Sequence, residues 1–421
     1  MNEDRQLLVG MDFGEFVTQI SCYDNKIFEP VPIGRTDGAN REYEIPTVIA
    51  VDIASGQWLY GKAAVNASAE NYIKITNILE MAGKCDEFEL DGYKFRTVEM
   101  VRRFMTNCLS ILKEYSPNET IKKLVVSVEE KNDHIVKVIE EALKTLGIES
   151  DRLIIQSHKQ SYMYYAVSQP DELWMNNVGM FEYGRNGLTY LQISIDRKSV
   201  PYIVGAEKKD LSDVVPYQLV LEGDENKLKY AFTNSANTSL HKQMVTTVYI
   251  TGNGFEGRWS EDALKELCIG RRVFRGQNLF TKGACYAARE FAGEGKLDGF
   301  IFLDDDMIVS DIMIKTYHNA EVGEVALARA GTRWKDIDNS IDVIPDDEDE
   351  IEIIVRNVLE HEARAHILSL SGFSGRANRM TRFTIRIRFA DRNTCIVTLK
   401  DNGFGEFCPS SNRIWERYIK I

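Results

Sequence analysis

Leu7-Leu-Val-Gly-Met-Asp-Phe-Gly14 is a short apolar run that ends at an acid and a glycine, and Phe16 to Tyr23 continues as a second apolar stretch. The pair reads as a β-hairpin with a glycine-containing turn. A second stretch has the same form. Val178-Gly-Met-Phe181 runs into Glu182-Tyr-Gly184, and Thr189 to Ile195 returns. Strand and helix patterns alternate around these two hairpins. Thr47 to Val51, Leu124 to Val128, Leu153 to Ile155 and Val248 to Thr251 read as strands. Ala63 to Met81, Thr97 to Tyr115, Gln160 to Val167, Glu261 to Gly270 and Lys282 to Phe291 read as helices. Asp133 is expected to cap one more, with Ile135, Val138, Ile139, Ala142 and Leu146 on one face and Gly147 at its end. This order predicts an α/β layer structure in two related halves.

After Gly299 the periodicity changes to two. Phe383, Ile385, Ile387 and Phe389 face one way and Thr384, Arg386 and Arg388 the other. Cys395 to Lys400, Ile351 to Val355 and Ala365 to Leu370 read as further strands, so the last part is expected to be an all-β sandwich. Asp346-Asp-Glu-Asp-Glu350 reads as a solvated loop, because no EF-hand spacing accompanies it.

The 421 residues are ample for two or three domains. With 44% hydrophobic residues, 27% charged residues and 9 prolines, the chain is outside the disordered and collagen-like classes. A net charge of -13 argues against general nucleic-acid binding. Seven dispersed cysteines without a C-x-x-C pair point to a reducing compartment and against a zinc site. The charged start at Met1 to Arg5 does not read as a signal peptide, and no apolar run is long enough to span a membrane. The expected location is cytoplasmic, with no membrane partner.

In their order, these pieces resemble the actin and DnaK-type heat-shock chaperone superfamily. Gly10-Met-Asp-Phe-Gly14 is similar to its first phosphate loop. Ile45-Pro-Thr-Val-Ile-Ala50 and Tyr60-Gly-Lys-Ala-Ala64 resemble the chaperone pattern that follows. Phe181-Glu-Tyr-Gly184 stands where the second phosphate loop belongs, and Thr251-Gly-Asn-Gly-Phe255 resembles the adenosine-binding turn. Lys282-Gly-Ala-Cys-Tyr-Ala-Ala288 resembles the helix before the domain's end. Gly299-Phe-Ile-Phe-Leu-Asp304 resembles the interdomain linker. Ala365 to Gly372 and Arg382 to Asp401 follow the order of the peptide-binding sandwich. The resemblance implies a duplicated actin-like nucleotide-binding domain over 1–299, a linker over 300–306 and a β-sandwich over 307–421, without the helical lid.

It further implies a site for ATP or ADP with magnesium, lined by Asp12, Gly14, Thr18, Gly184, Gly187, Gly252, Asn253, Gly254 and Phe255. Asp12 and Glu182 would hold the metal through water. Several departures weaken that site. Glu15 and Phe16 replace small hydroxyl residues, and Glu182 replaces an aspartate. Arg185 and Asn186 replace glycines. Asn77 falls where a hydrolytic lysine is expected, with Lys74 a turn earlier. The second crossover helix begins Ser157-His-Lys-Gln-Ser161 without an acid. Glu182 is the one catalytic candidate; His158 is weighed as a replacement for the missing hydrolytic group, although a lone helix-start histidine is more often a cap or surface residue. The implied function is a divergent chaperone or pseudo-chaperone with weak nucleotide binding and slow or no hydrolysis. It would take a peptide or protein partner through the β-domain, with Ile351 and Ile353 on a peptide groove or in the core. The alternatives are an active ATPase or phosphotransferase of that superfamily and a non-catalytic scaffold.

Overall fold

The computed structural model describes residues 6–37, 40–318, 321–345, 350–370, 376 and 379–421. The chain divides into two compact units. One comprises Met1–Ile193 and Ala206–Asp298, the other Ser194–Gly205 and Gly299–Ile421.

The first unit is organised by two ladders. In one, Gln6–Phe13 lies between antiparallel Val17–Asp24 and parallel Thr120–Val128, with Glu29–Ile33 and Leu153–Ser157 outside them. In the other, Asn177–Gly184 lies between antiparallel Gly187–Asp196 and parallel Val245–Thr251, which pairs with Arg272–Arg275. The strands are near-continuous apolar runs because helices cover them. Phe13, Phe104, Val126 and Ile139 share one core, and Phe181, Tyr183, Phe232 and Trp259 another. The helix Leu279–Phe291 packs so closely on Gln6–Phe13 that any side chain at Gly10 would collide with its backbone at Thr281 and Cys285.

A duplicated actin-like fold, expected from the sequence, is not what the chain shows. The protein is a strand-rich α/β mixture, 42% strand and 27% helix, with several small sheets beside the two ladders. Three of these sheets fall between Arg35 and Arg96. The expected helix from Ala63 to Met81 is broken up accordingly. Helix Lys62–Asn66 stops, strand Tyr72–Ile75 follows, and helix Ile78–Lys84 comes last. Ile73 and Ile75 are buried in alternation with Tyr72 and Lys74, so period two wins over the helical reading. Nothing comparable lies between Ala206 and Met244, where the chain forms helices Gln218–Glu222 and Glu225–Leu240.

Other helices lie close to expectation: Thr97–Tyr115, Asp133–Lys144, His158–Val167 and Arg258–Leu267. The cap of Asp133–Lys144 is Asn132, whose side chain accepts from the Ile135 amide, not Asp133. No helix among the described residues is long and apolar enough to cross a membrane.

The second unit holds two antiparallel four-stranded sheets. One has the order Glu321–Ala328, Ser310–His318, Glu350–Asn357, Ala363–Ser369. The other runs Asp338–Val343, Arg382–Asp391, Thr394–Gly403, Ile414–Lys420. Their inner faces share one core containing Ile312, Ile353, Phe383, Ile385, Ile387 and Val397. Ile351 and Ile353 are both buried there, which corrects the groove assignment: their alternation points them inward. The stretch expected as a linker is not one throughout. Phe300–Phe302 is a strand paired in parallel with Tyr202–Val204, and Ile203 and Leu303 join a small core with Ala330 and Val358. Residues 346–349 of the acidic run lie outside the described residues, as do 371–375.

Candidate functional site

The two hairpins of the first unit bring a set of charged groups together. Asp12 sits one residue before the end of its strand. His158 opens the helix His158–Val167, held there by a capping box in which Ser157 and Gln160 satisfy each other's backbone amides. The His158 Nε2–H donates to Asp12 Oδ1 at 2.7 Å. The imidazole also stacks on Phe280, with ring centroids 3.8 Å apart and planes at 10°. The Ser127 and Ser161 hydroxyls are 2.5 Å apart, and Gln156 Nε2 donates to Ser161 at 2.8 Å.

Glu182 and Glu129 complete the cluster. Lys208 Nζ donates to Glu129 Oε1 at 3.0 Å and to Glu130 Oε1 at 3.3 Å. Each ionisation follows from this arrangement. Burial pushes the Glu182 carboxyl up to about 7, helped by Glu129 and Asp12 and opposed by His158. Burial alone would lower the His158 imidazolium, but the Asp12 charge and hydrogen bond outweigh it and hold its pKa above the ordinary value. Burial would raise Glu129, yet the Lys208 ammonium brings it below the usual carboxylate range.

The turns that carry these groups touch each other. Asn186 Nδ2 donates to Glu15 Oε2 at 3.2 Å, and the Arg185 guanidinium lies 5.3 Å from the centre of the Phe16 ring. All four are among the residues that depart from the expected phosphate-loop pattern.

The other expected ligand residues do different work. Thr18 is fully buried and its hydroxyl is 3.0 Å from that of Thr47, which donates to the Gly14 carbonyl at 2.8 Å. It braces the first turn from inside, so its expected role as a phosphate donor is corrected. Gly187 has φ +94° and faces Ser212 without room for a side chain. Gly184 faces open space. Gly252 and Gly254 are both blocked by Tyr183, its carbonyl in the first case and its ring in the second. Phe255 is core, packed among Tyr183, Phe232 and Trp259 with ring centroids 5.1–5.8 Å apart. Only Asn253 and Gly252 of that turn remain exposed. The glycines therefore serve Tyr183, whose hydroxyl donates to the Pro216 carbonyl at 3.0 Å.

Magnesium through Asp12 and Glu182 does not fit this donor set. One Asp12 oxygen already accepts from His158, and burial raises the Glu182 carboxyl to about 7, so a magnesium ion would have to displace its proton. Among the described residues, no group of three or more His, Cys, Asp or Glu is placed to hold a metal ion. Lys74, weighed as a substitute lysine, donates to the Val65 carbonyl at 2.7 Å. The sequence reading misses Lys208 and Glu129, and for His158 it prefers a cap or surface role over that of a replacement in the phosphate site. No local signal links any of them to residues so distant in the chain.

No curated protein matches the chain. The C-terminal residues 307–421 match a family model described as a domain of unknown function (DUF8552). Residues 29–305, more than half of the chain, match the model described as family of unknown function (DUF5716) C-terminal. That stretch contains Glu129, His158, Glu182 and Lys208, while Asp12 precedes it. The chain belongs to the DUF5716 family.

Proposed function

We propose that this protein works by binding a protein or peptide partner, and that it is not a working ATPase. ATP or ADP is held at the two hairpin turns weakly at most, and it is not hydrolysed. The observation that carries this reading is the hydrogen bond from His158 to Asp12, which occupies the acid that a magnesium ion would need. With the Glu182 carboxyl raised to about 7 and one Asp12 oxygen held by His158, both expected acids are poorly set to organise a metal–phosphate complex. Partner binding then falls to exposed edges and loops of the β unit, since Ile351 and Ile353 are core. The seven free thiols suit a reducing compartment, and we place the chain in the cytoplasm.

One observation favours a second reading. A carboxyl that titrates near pH 7 is suited to general acid–base work, so Glu182 is the group an active ATPase would use. Calorimetric titration of the full chain with ATP and ADP, with and without magnesium, followed by a phosphate-release assay, separates the two. Weak, magnesium-independent heats and no turnover are expected. Turnover that disappears in Glu182→Ala would overturn the binding-protein reading.

A further inference from the structure

In the β unit, the connection between strands Thr394–Gly403 and Ile414–Lys420 is a braced loop with two aromatic side chains in solvent. Phe407 is 89% exposed and Phe404 42%. The bracing lies at the loop's base. Asp401 is fully buried and accepts four hydrogen bonds: from Arg376 Nη1 and Nη2 at 2.9 and 3.0 Å, from the Gly403 amide at 2.8 Å and from the Ser411 amide at 2.7 Å. Arg376 also donates to the Pro409 carbonyl at 2.7 Å, and the Ser410 hydroxyl to the Asp401 carbonyl at 2.5 Å. Phe404 N–H closes a turn on the Cys408 carbonyl at 2.6 Å. Gly403 and Gly405 supply the positive φ values, 65° and 64°, that this path requires.

A buried ion pair is a poor way to add stability, and its best-attested use is to fix one conformation. What this one fixes is the direction of Phe404 and Phe407. Exposed aromatics on a preformed backbone lose little entropy on docking, which is how interface anchors reach high affinity. The charge on the loop selects the partner class. Glu406 is the one ionisable side chain at the tip, between the two phenylalanines, and residues 402–412 contain no Lys or Arg. A membrane-inserting loop would carry basic residues toward anionic headgroups. An acid between two aromatics is instead complementary to an apolar pocket with a basic rim.

We propose that Phe404 and Phe407 are anchor residues for a protein partner that offers an apolar pocket rimmed by Lys or Arg. This rests on the partner-binding reading above and assigns it a surface. The test places the photo-crosslinking amino acid p-benzoylphenylalanine at position 407 of the full chain, in cells of its source. Exposed positions 367, on strand Ala363–Ser369, and 418, on strand Ile414–Lys420 beyond the loop, serve as controls. The expected result is one protein crosslinked from 407, at a site lined by apolar side chains with a Lys or Arg beside them. Binding of that purified protein should fall at least about tenfold with Phe407→Ser and also with Glu406→Lys, with thermal melting unchanged. Crosslinks solely between copies of this chain would overturn the proposal. So would co-sedimentation with vesicles of phosphatidylcholine and phosphatidylserine that Phe407→Ser abolishes. A partner crosslinked from 367 or 418 and unaffected by Phe407→Ser would refute the loop and leave the partner-binding reading standing. No crosslinked protein from any of the three positions would refute both.

Discussion

His158 Nε2 and Asp12 Oδ1 are 2.7 Å apart, a hydrogen bond between residues separated by 146 positions in the chain. It joins the start of a helix to the end of a strand in a place where burial strengthens it. A helix N-terminus disfavours a cation, so the Asp12 charge is what keeps the imidazole protonatable there. Around this pair, Glu129 adds negative charge that Lys208 offsets, and Glu182 adds more only as pH rises through about 7. Asp12, His158, Glu129 and Lys208 are each answered by another side chain, while burial keeps the Glu182 carboxyl protonated up to about pH 7.

The pH dependence of stability follows from that cluster. His158 has a folded pKa above its ordinary 6.5, so its contribution is present below that value and is lost as pH rises through the folded pKa. Glu182 has a folded pKa of about 7 against an ordinary 4.5, so between those values the folded protein binds the extra proton. Stability therefore falls with rising pH across that window, with a slope of at most ~1.4 kcal/mol per pH unit from Glu182. Urea midpoints measured from about pH 5 to pH 8 should decline, and Glu182→Gln should flatten the decline. An unchanged slope in that variant would show that Glu182 titrates normally.

The glycines of the two turns separate by what surrounds them. Gly184→Ala meets nothing within 4 Å and should leave the melting temperature close to wild type. Gly254→Val drives a branched side chain into the Tyr183 ring and should cost about 1–3 kcal/mol or more. Because the collision is with the protein's own core, the loss should be the same with and without added nucleotide. A Gly254→Val protein of wild-type stability that merely loses ATP affinity would restore the adenosine-turn assignment.

Local signals were legible and distant ones were not. The alternation of Phe383, Ile385, Ile387 and Phe389 announces a strand with one face in a core, and that is where they lie. The hairpin turns at Asp12-Phe-Gly14 and Tyr183-Gly184 could be read for the same reason, since a turn is a property of a few adjacent residues. Ile73 and Ile75 defeated the helical reading because a four-residue strand offers only two alternations, too few to outweigh the longer apolar run around them. Gly252 and Gly254 look like room for a ligand in the sequence, and only the fold reveals that Tyr183 takes the space. His158 illustrates the same limit: its partner is set by packing of a helix against a strand, which leaves no trace near position 158.

Ile353 distinguishes core from groove in a single variant. Its side chain is fully buried between Ile312, Val355 and the facing sheet's residues in the shared core. Ile353→Asp places a carboxylate there without a partner, so the β unit should unfold, with a cost of several kcal/mol. Far-UV dichroism and denaturant titration of the full chain report this directly. A variant that keeps a cooperative transition at the wild-type midpoint would mean that Ile353 faces solvent.

The Asp401–Arg376 pair makes a prediction that differs for its two halves. Burial would raise the Asp401 carboxyl, but Arg376 and the amides of Ser411 and Gly403 bring it well below the usual carboxylate range. A depressed folded pKa means stability that is present above the ordinary 3.8 and lost as pH falls through the folded value. Arg376→Met leaves a fully buried carboxylate without its counter-charge and should cost about 3–5 kcal/mol at neutral pH. Asp401→Asn keeps one acceptor oxygen, enough for the Gly403 amide or the Ser411 amide but not both, yet it buries no unpaired charge and leaves Arg376, which is partly exposed, within reach of water. Its cost should therefore be smaller, and stability below pH 4 should depend less on pH than in the wild type. Hydrogen exchange adds a local readout, because either change should speed exchange at Phe404 N–H, whose bond to the Cys408 carbonyl depends on the braced base. Equal costs for the two substitutions, with exchange at Phe404 unmoved, would mean that the ion pair holds neither the carboxylate nor the loop.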